Sequence, residues 1–381
     1  MKKVLTFSIF KSNLFGHGGE KRTGQIHEIL SSDYSICEVL CKFTFNQGKV
    51  ALKKKLTGSL YIPEVFRATE IYKHNFSVSR LLDESHKVSR QVKNLEAHSE
   101  LIKEASTIVW ENTLPDFFYL PYLIKKKYLK RVIACPHNIE SLVPHQTLRF
   151  YGRDKLKFLQ QELEPFRVCD KVFTISEEEQ WLLNLFDIEA QFLPYYPQGE
   201  LLTSLMSIRK YRETADRNGA PGFFLSVGSL TNAPTKKGML NLLEQIKKIN
   251  QTSSTKYNFK IAGSKTDALR TQHSGLGLDI LGQIDNIELD LLLKDCRAVV
   301  INQGFSTGAL TKVPDMLVAG IPVIIDAGGA RTYKRYEGIH VYNSSSDLAD
   351  LLSSQLPLPP IPEMPIKYYK SFLRSLDGPA S

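Results

Sequence analysis

A histidine and an asparagine follow directly after a run of residues that is typical of a buried strand. The run "RVIAC" (131–135) leads into Pro136, and His137 and Asn138 come next. Proline restricts the residue before it to an extended backbone, which suits a strand that ends there. Ligands of parallel sheets bind at the carboxyl ends of the strands. His137 is therefore a candidate for contact with a ligand, and the alternative is a histidine that satisfies backbone groups at a strand end.

A glycine pair near the start of the chain is a second candidate. The loop "GHGGEKR" (16–22) contains Gly18 and Gly19, which lack a Cβ and so allow a ligand to approach the backbone closely. Arg22 stands in the helix that is expected to follow. The alternative is a flexible turn without a ligand.

A third candidate is the segment "FSTGALTKVPDMLVAGIPVI" (305–324), a small-residue loop before a helix expected from Thr311 to Gly320. Backbone N–H groups and the helix dipole favour an anion at such a place. The loop residues that would offer their amides are Gly308, Ala309 and Leu310. Lys312 adds a full positive charge, and the Asp315 carboxylate could accept hydrogen bonds from sugar hydroxyls. An ordinary turn with a solvated lysine and aspartate fits the same pattern.

Strand-like and helix-like segments alternate along the chain, which predicts parallel sheets connected by helices. At 381 residues the chain is long enough for two domains. We expect an N-terminal domain over 1–196, a polar and turn-rich linker over 197–221, and a C-terminal domain over 222–356. Residues 357–381 begin with a proline-rich connector and end in an amphipathic helix, which is expected to pack back on the first domain.

Composition limits the class of protein. The chain is 42% hydrophobic and 23% charged, as in soluble globular proteins, and no apolar run is long enough to span a bilayer. Its five scattered cysteines are typical of reduced thiols in the cytoplasm and do not suggest a metal site. The net charge of +9 favours an anionic ligand or surface but does not choose among them. No aromatic–basic motif supports a nucleic-acid partner.

Several segments together resemble the retaining glycosyltransferases of the GT-B fold, the family-four group. "TGALTKVPDMLVAGIPVI" is similar to that family's loop and helix in the second domain, and "PHNIESL" to its His-Asn-x-Glu segment. "GHGGEKR" is similar to its first Gly-Gly loop. "FFLSVGSLTNAPTKKGMLNLLEQI" resembles its second-domain opening, and "VFTISEEEQWLL" with "FLPYYP" its link between domains. The matches are in order and span residues 16–324.

The resemblance implies two Rossmann-like domains that face a central cleft, and transfer of a sugar from a nucleotide-sugar with retention at the anomeric carbon. The acceptor would be a glycan, a lipid-linked molecule or another acceptor. His137 would take the catalytic place, and Arg22 and Asn138 would bind the acceptor. The donor-binding residues implied are Gly18, Gly19, Ser229, Lys237, Gln283, Ile284, Gly308, Ala309, Leu310, Lys312 and Asp315.

Two positions depart from the family's pattern. The family commonly has an arginine after the first glycine of "VGSLTNAPTKKG", where this chain has Ser229, so only Lys237 remains of a pair of diphosphate-binding cations. Lys236 or Lys265 would have to compensate. The family's two glutamates, eight residues apart, are replaced by Thr307 and Asp315. These departures motivate the alternative of a non-catalytic GT-B binding or partner subunit.

The remaining expectations concern cofactors and location. The sequence contains no D-x-D motif, so we expect no metal and no cofactor beyond the nucleotide-sugar co-substrate. Basic and apolar residues are mixed in "YLIKKKYLKR" (122–131) and "KVALKKKL" (49–56). Such stretches suit peripheral contact with an anionic membrane or a solvated helix face. We expect a cytoplasmic protein, and its oligomeric state is left open.

Overall fold

The chain forms two compact units in a computed structural model. The structure describes all residues except 42–58, 70–77, 112–113, 144–154, 215–221, 274, 276, 305–307 and 379–381. The first unit comprises Met1–Pro194, Thr307–Ala309 and Pro365–Ser381, and the second comprises Tyr195–Ser306 and Leu310–Met364. Each unit is built on one six-stranded parallel sheet with helices, so the predicted fold class is confirmed.

The first unit has the strand order β2-β1-β3-β4-β5-β6. Its strands are β1 (Lys2–Ser8), β2 (Tyr34–Leu40), β3 (Thr107–Trp110), β4 (Arg131–Ala134), β5 (Lys171–Thr174) and β6 (Ala190–Phe192). Its helices are α1 (Gly18–Ser31), α2 (Ile62–Ala68), α3 (Val78–Ala97), α4 (Ser99–Glu104), α5 (Leu120–Tyr128), α6 (Lys155–Val168) and α7 (Glu177–Leu185). Strands β3 and β4 are buried along their whole length. This agrees with their mostly apolar sequence, because helices cover both faces of a parallel sheet.

The second unit has the strand order β12-β11-β10-β7-β8-β9. Its strands are β7 (Phe224–Val227), β8 (Phe259–Ala262), β9 (Leu278–Gly282), β10 (Ala298–Ile301), β11 (Val323–Asp326) and β12 (Ile339–Tyr342). Its helices are α8 (Gly199–Thr214), α9 (Ala233–Thr252), α10 (Arg270–His273), α11 (Asn286–Asp295), α12 (Lys312–Val318), α13 (Ala327–Ala330) and α14 (Ser345–Ser353).

The segment expected to be a linker (197–221) differs in the structure. It contains helix α8, and residues 215–221 lie outside the described part of the chain. Two arginines of this helix are buried. Arg209 donates hydrogen bonds to the carbonyls of Leu317 and Val318, and Arg212 donates to four carbonyls, those of Leu293, Lys294, Cys296 and Gly320. The arginines of this helix therefore lie in the interior of the second unit. Their guanidinium groups donate hydrogen bonds to carbonyls at the ends of α11 and α12.

The C-terminal helix α15 (Ile366–Leu376) groups with the first unit. Its Tyr369, Phe372 and Leu376 side chains are buried. The Phe372 ring meets Phe173 edge to face at 5.1 Å between centroids. The amphipathic pattern of this helix is thus accounted for by packing against the first sheet.

The basic stretch 122–131 does not present a row of free cations. Lys125, Lys126 and Lys127 form ion pairs with Asp170, Glu64 and Glu96, at 2.8 to 2.9 Å. The second basic stretch (49–56) lies outside the described residues. No helix in the described ranges is long and apolar enough to cross a membrane.

Candidate functional site

In the first sheet, the direction in which strands are added reverses between β1 and β3. The paired positions Phe7, Trp110 and Ala134 show that β1, β3 and β4 end side by side. Parallel α/β sheets bind ligands at the carboxyl ends of the strands where the order reverses, because the helices leave to opposite faces there. Glu111 follows β3 and His137 follows β4, so this edge brings the two side chains together.

The His137 ring is held by Glu111. Its Nε2 atom lies 3.2 Å from Oε2 of Glu111, whose side chain is completely buried. The same oxygen accepts a hydrogen bond from the Thr23 hydroxyl at 2.7 Å. Among the described residues, Nδ1 of His137 and Oε1 of Glu111 have no hydrogen-bond partner. The first sheet therefore carries a buried carboxylate–imidazole pair with unused hydrogen-bonding capacity.

The Gly-Gly loop meets His137 through an aromatic ring. Phe10 stacks on the His137 ring with centroids 5.3 Å apart, and it meets His17 edge to face at 4.8 Å. A Cβ at Gly19 would lie 2.4 Å from the Phe10 ring, so only glycine fits there. Gly18 is exposed at the start of α1, which His17 and Glu20 cap reciprocally. The expected loop thus lies on the same edge as His137.

Arg22, which was expected to bind the acceptor, lies in the interior of the first unit. It is 1% exposed and donates to Gln25 through Nη1 at 2.6 Å, while its Nε and Nη2 atoms lack a partner within the described chain. Burial lowers the pKa of its guanidinium, and the charges of Cys135 and Glu111 act in the opposite direction. Arg22 lies in the first turns of α1, on the buried side of the helix. Its positive charge is attracted by the carboxylate of Glu111.

Asn138 and Gly308 meet in the first unit. A Cβ at Gly308 would lie 1.9 Å from Oδ1 of Asn138, and the Gly308 φ angle is +71°. The Gly308 N–H donates to Oε1 of Glu179 at 2.9 Å, and the Ile139 N–H donates to the same atom at 2.9 Å. This amide was expected to face a diphosphate, but in the structure the buried carboxylate of Glu179 engages it.

The backbone after His137 rests on a second buried carboxylate. Glu162, on α6, accepts hydrogen bonds from the N–H groups of Glu140 and Ser141 at 2.7 and 2.8 Å. Burial raises the pKa of Glu162 to about 8, although the hydrogen bonds from Ser141 act to lower it. Its protonation therefore bears on the segment that follows His137.

In the second sheet, the order of strands reverses between β7 and β10. The loop after β7 approaches the loop after β8 so closely that a Cβ at Gly263 would lie 2.1 Å from the Gly228 carbonyl oxygen. The Gly263 N–H donates to the Gly282 carbonyl at the end of β9. Gln283 is exposed and Ile284 half-buried directly after it. Three strand ends thus form one backbone-lined edge, which includes the segment predicted to lie beside a nucleobase.

Helix α9 begins at this edge with two exposed lysines, Lys236 and Lys237. A Cβ at Gly238 would lie 1.7 Å from the Asn302 carbonyl oxygen, so the glycine lets the first turns of α9 lie against the end of β10. Ser229 is half-buried, and its hydroxyl lies 2.7 Å from that of Thr231. Lys265 is exposed just after β8, near the start of the same edge.

Helix α12 occupies the predicted place, but its side chains face inward. Lys312 donates to the Val227 carbonyl at 2.8 Å, which places its ammonium beside Gly228. Asp315 is completely buried and accepts a hydrogen bond from the Tyr195 hydroxyl at 3.0 Å. The ribose contact expected of Asp315 stays a prediction. Ala309 and Leu310 are half-buried, and the Leu310 carbonyl accepts from Tyr333 at 2.9 Å.

The described residues contain no group of three His, Cys, Asp or Glu side chains that could hold a metal ion. Burial raises the pKa of the thiol of Cys135, two residues before His137 in the chain. A thiol in that state is a poor nucleophile.

Solved structures resemble the chain along nearly its whole length. TarM from S. aureus, crystallised with Fondaparinux, α-GlcNAc-glycerol and UDP, is 11% identical, with a TM-score of 0.62 over 99% of this chain and 100% of that one. HepE from Anabaena, in complex with UDP, is 13% identical with a TM-score of 0.58 over 99% of both chains. The chain has the GT-B fold.

Other comparisons agree on the fold. Sucrose-phosphate synthase from Thermosynechococcus elongatus is 13% identical, with a TM-score of 0.59 over 92% of this chain and 88% of that one. No protein-family model matches the sequence, and no curated protein matches it significantly. The relationship to GT-B proteins is thus visible in the path of the backbone.

The carboxylates that organise the first-unit site are not among the residues predicted from the sequence. Glu111 follows the buried run "STIVW" much as His137 follows "RVIAC", and that parallel is the signal which would have found it. Glu162 and Glu179 lie inside helical segments where a glutamate is ordinarily solvated. Nothing in their spacing distinguishes them from surface residues.

The raised pKa of Glu162 predicts that the first unit loses stability as pH rises. The folded chain holds this proton up to about pH 8, whereas the ordinary value is 4.5. Between these two values the folded state binds the proton more tightly than the unfolded state, so the free energy of unfolding falls with pH, by at most about 1.4 kcal/mol per pH unit for one group. Denaturant unfolding of the wild type and Glu162→Gln from pH 5 to 8 should show a steeper decline in the wild type.

The exposed Glu189 provides the matched control for this measurement, since Glu189→Gln removes a carboxylate with little burial. Its unfolding profile should run parallel to that of the wild type. Parallel profiles for the wild type and Glu162→Gln would show that Glu162 is ionised throughout this range.

Proposed function

We propose that this chain transfers a sugar from a nucleotide-sugar to a hydroxyl of a glycan, lipid-linked or other carbohydrate acceptor, with retention at the anomeric carbon. The first unit binds the acceptor and the second binds the nucleotide-sugar. The observation that carries the proposal is His137 at the point where the first sheet reverses its strand order, paired with Glu111 in a chain with the GT-B fold.

The second unit suits a nucleoside diphosphate for two reasons. Close approach of the Gly228 and Gly263 backbones leaves an edge without side chains, against which a flat, polar ligand can lie. Lys237 and Lys236 stand exposed in the first turn of α9, where the helix dipole also favours an anion. The TarM and HepE structures both contain UDP, which makes a uridine nucleotide the first donor to test.

The leaving diphosphate gains negative charge as the sugar departs. Positive groups that are already in place stabilise such charge without reorganisation. Lys237 and Lys236 supply this charge in the proposal, together with Lys312, whose ammonium lies beside Gly228. Because these cations replace a metal ion in that role, we propose that transfer needs no divalent metal.

His137 acts on the sugar in this proposal. A histidine at this place can bind a sugar hydroxyl or support the positive charge that builds at the reacting carbon. It need not be a general base, because in a retaining transfer on one face the leaving phosphate can take the acceptor's proton. Its stacking on Phe10 and its bond to Glu111 hold the ring in one orientation.

A non-catalytic binding subunit with the same fold is the second candidate. Two observations favour it: a serine at position 229 where a cation is common in the family, and the internal bond of Asp315 to Tyr195. Hydrolysis of a nucleotide-sugar without acceptor separates the two candidates, because an enzyme releases free sugar slowly and a binding subunit releases none.

Removing the Lys237 ammonium should weaken nucleoside diphosphate binding. We expect Lys237→Ala to cost about 1.5–3 kcal/mol of binding free energy, or roughly ten- to hundredfold in Kd, the scale of a hydrogen bond between charged groups. Titration calorimetry with UDP and other nucleoside diphosphates measures this. Lys248→Ala, three turns further along α9 and also exposed, should bind as the wild type does. Unchanged affinity in Lys237→Ala would remove Lys237 from the site.

Removing the His137 imidazole should slow transfer while leaving the fold intact. We expect His137→Ala to reduce kcat by about 10²-fold or more, within the range for positioned catalytic groups. Melting temperature and nucleotide affinity should stay close to the wild-type values, because the nucleotide is assigned to the second unit. A much lower melting temperature, or normal turnover, would mean that His137 is only a residue of the fold.

A further inference from the structure

The polar groups beneath His137 form one directed chain of hydrogen bonds. The Phe10 N–H donates to the Ser8 hydroxyl at 3.1 Å. The hydroxyls of Ser8 and Thr23 lie 3.2 Å apart, and Thr23 is 2.7 Å from Oε2 of Glu111. That same oxygen is 3.2 Å from Nε2 of His137.

Counting the protons fixes the direction of each bond. An ionised carboxylate only accepts hydrogen bonds, so Thr23 gives its single hydroxyl proton to Glu111. The oxygen of Thr23 is then free to accept from Ser8, whose own oxygen accepts from the backbone. Since Glu111 has no proton to give, the His137 nitrogen that faces it must be the protonated one.

A buried cation lies near this chain of bonds. The Arg22 guanidinium is fully buried and is attracted electrostatically by Glu111. The bonds have one consistent direction when the Glu111 carboxylate only accepts.

We propose that Glu111 is a positioning residue that fixes His137 in the tautomer with the proton on Nε2. This leaves on Nδ1, a buried atom with no partner among the described residues, an unused lone pair that can only accept a hydrogen bond. The effect of this tautomer on transfer rests on the proposed function. The tautomer itself is a property of the resting protein and does not depend on that function.

The test is nitrogen NMR of the full chain labelled with ¹⁵N-histidine, near neutral pH, with the His137 signals assigned from their loss in His137→Gln. Long-range proton–nitrogen correlations distinguish the two neutral tautomers. The wild type should show a protonated Nε2 and a bare Nδ1. A proton on Nδ1 in the wild type would overturn the proposal.

Glu111→Gln then tests whether the Glu111 carboxylate holds His137 in a single tautomer. An amide offers both a donor and an acceptor, so either tautomer can be satisfied and the single form should be lost. We expect kcat to fall about ten- to hundredfold, with the KM for the nucleotide-sugar changed less than threefold. One unchanged tautomer together with full turnover would show that Glu111 only balances the charge of Arg22.

Glu162→Gln is the control, since it makes the same substitution at another fully buried glutamate, which accepts hydrogen bonds from backbone N–H groups and not from the ring. Its His137 tautomer should be that of the wild type. If Glu111→Gln does not fold, the wild-type spectrum still shows which nitrogen of His137 carries the proton. If the wild type transfers no sugar, the proposed function fails while the tautomer result stands.

Discussion

Strand direction is the constraint on which the candidate site depends. Every strand of each sheet runs parallel to its neighbours, so all carboxyl ends lie on one edge of that sheet. The order of strands reverses between β1 and β3 in the first sheet and between β7 and β10 in the second. Helices leave to opposite faces at such a point and leave a crevice. Glu111 and His137 meet because the strands that precede them end there.

The polar cluster of the first unit is costly to bury, and the pairs within it offset part of that cost. An unpaired buried carboxylate or guanidinium costs several kcal/mol, and pairing offsets much of that cost. Arg22 is attracted by Glu111, and Thr23 donates to one of the Glu111 oxygens. Glu179 and Glu162 accept hydrogen bonds from the backbone amides of residues 139–141, which follow Asn138. A cluster of this kind, with hydrogen-bonding capacity left over, is typical of sites where function opposes stability.

The fold and the position of His137 could be predicted from the sequence because both depend on local patterns. Alternating apolar and helical segments specify parallel sheets, and Pro136 marks the end of the strand before His137. The direction of single side chains could not be predicted in the same way. Arg22 and Asp315 stand in segments that resemble ligand-binding ones, yet both are buried, since their orientation depends on which face of a helix packs against the sheet. Helix α8 was not predicted, because its polar sequence is typical of a linker. Its arginines bond to carbonyls that lie far away in the sequence.

The most direct test of the proposed transfer is the release of sugar from α-linked nucleotide-sugars, followed by proton NMR in real time in a buffer with chelator. Slow release of the sugar from at least one donor is expected, with the α-anomer appearing first and with no need for added metal. Release of the β-anomer first would contradict retention. A chain that binds none of the nucleotides and hydrolyses none of the donors, with or without magnesium, would contradict the proposed glycosyltransferase function itself.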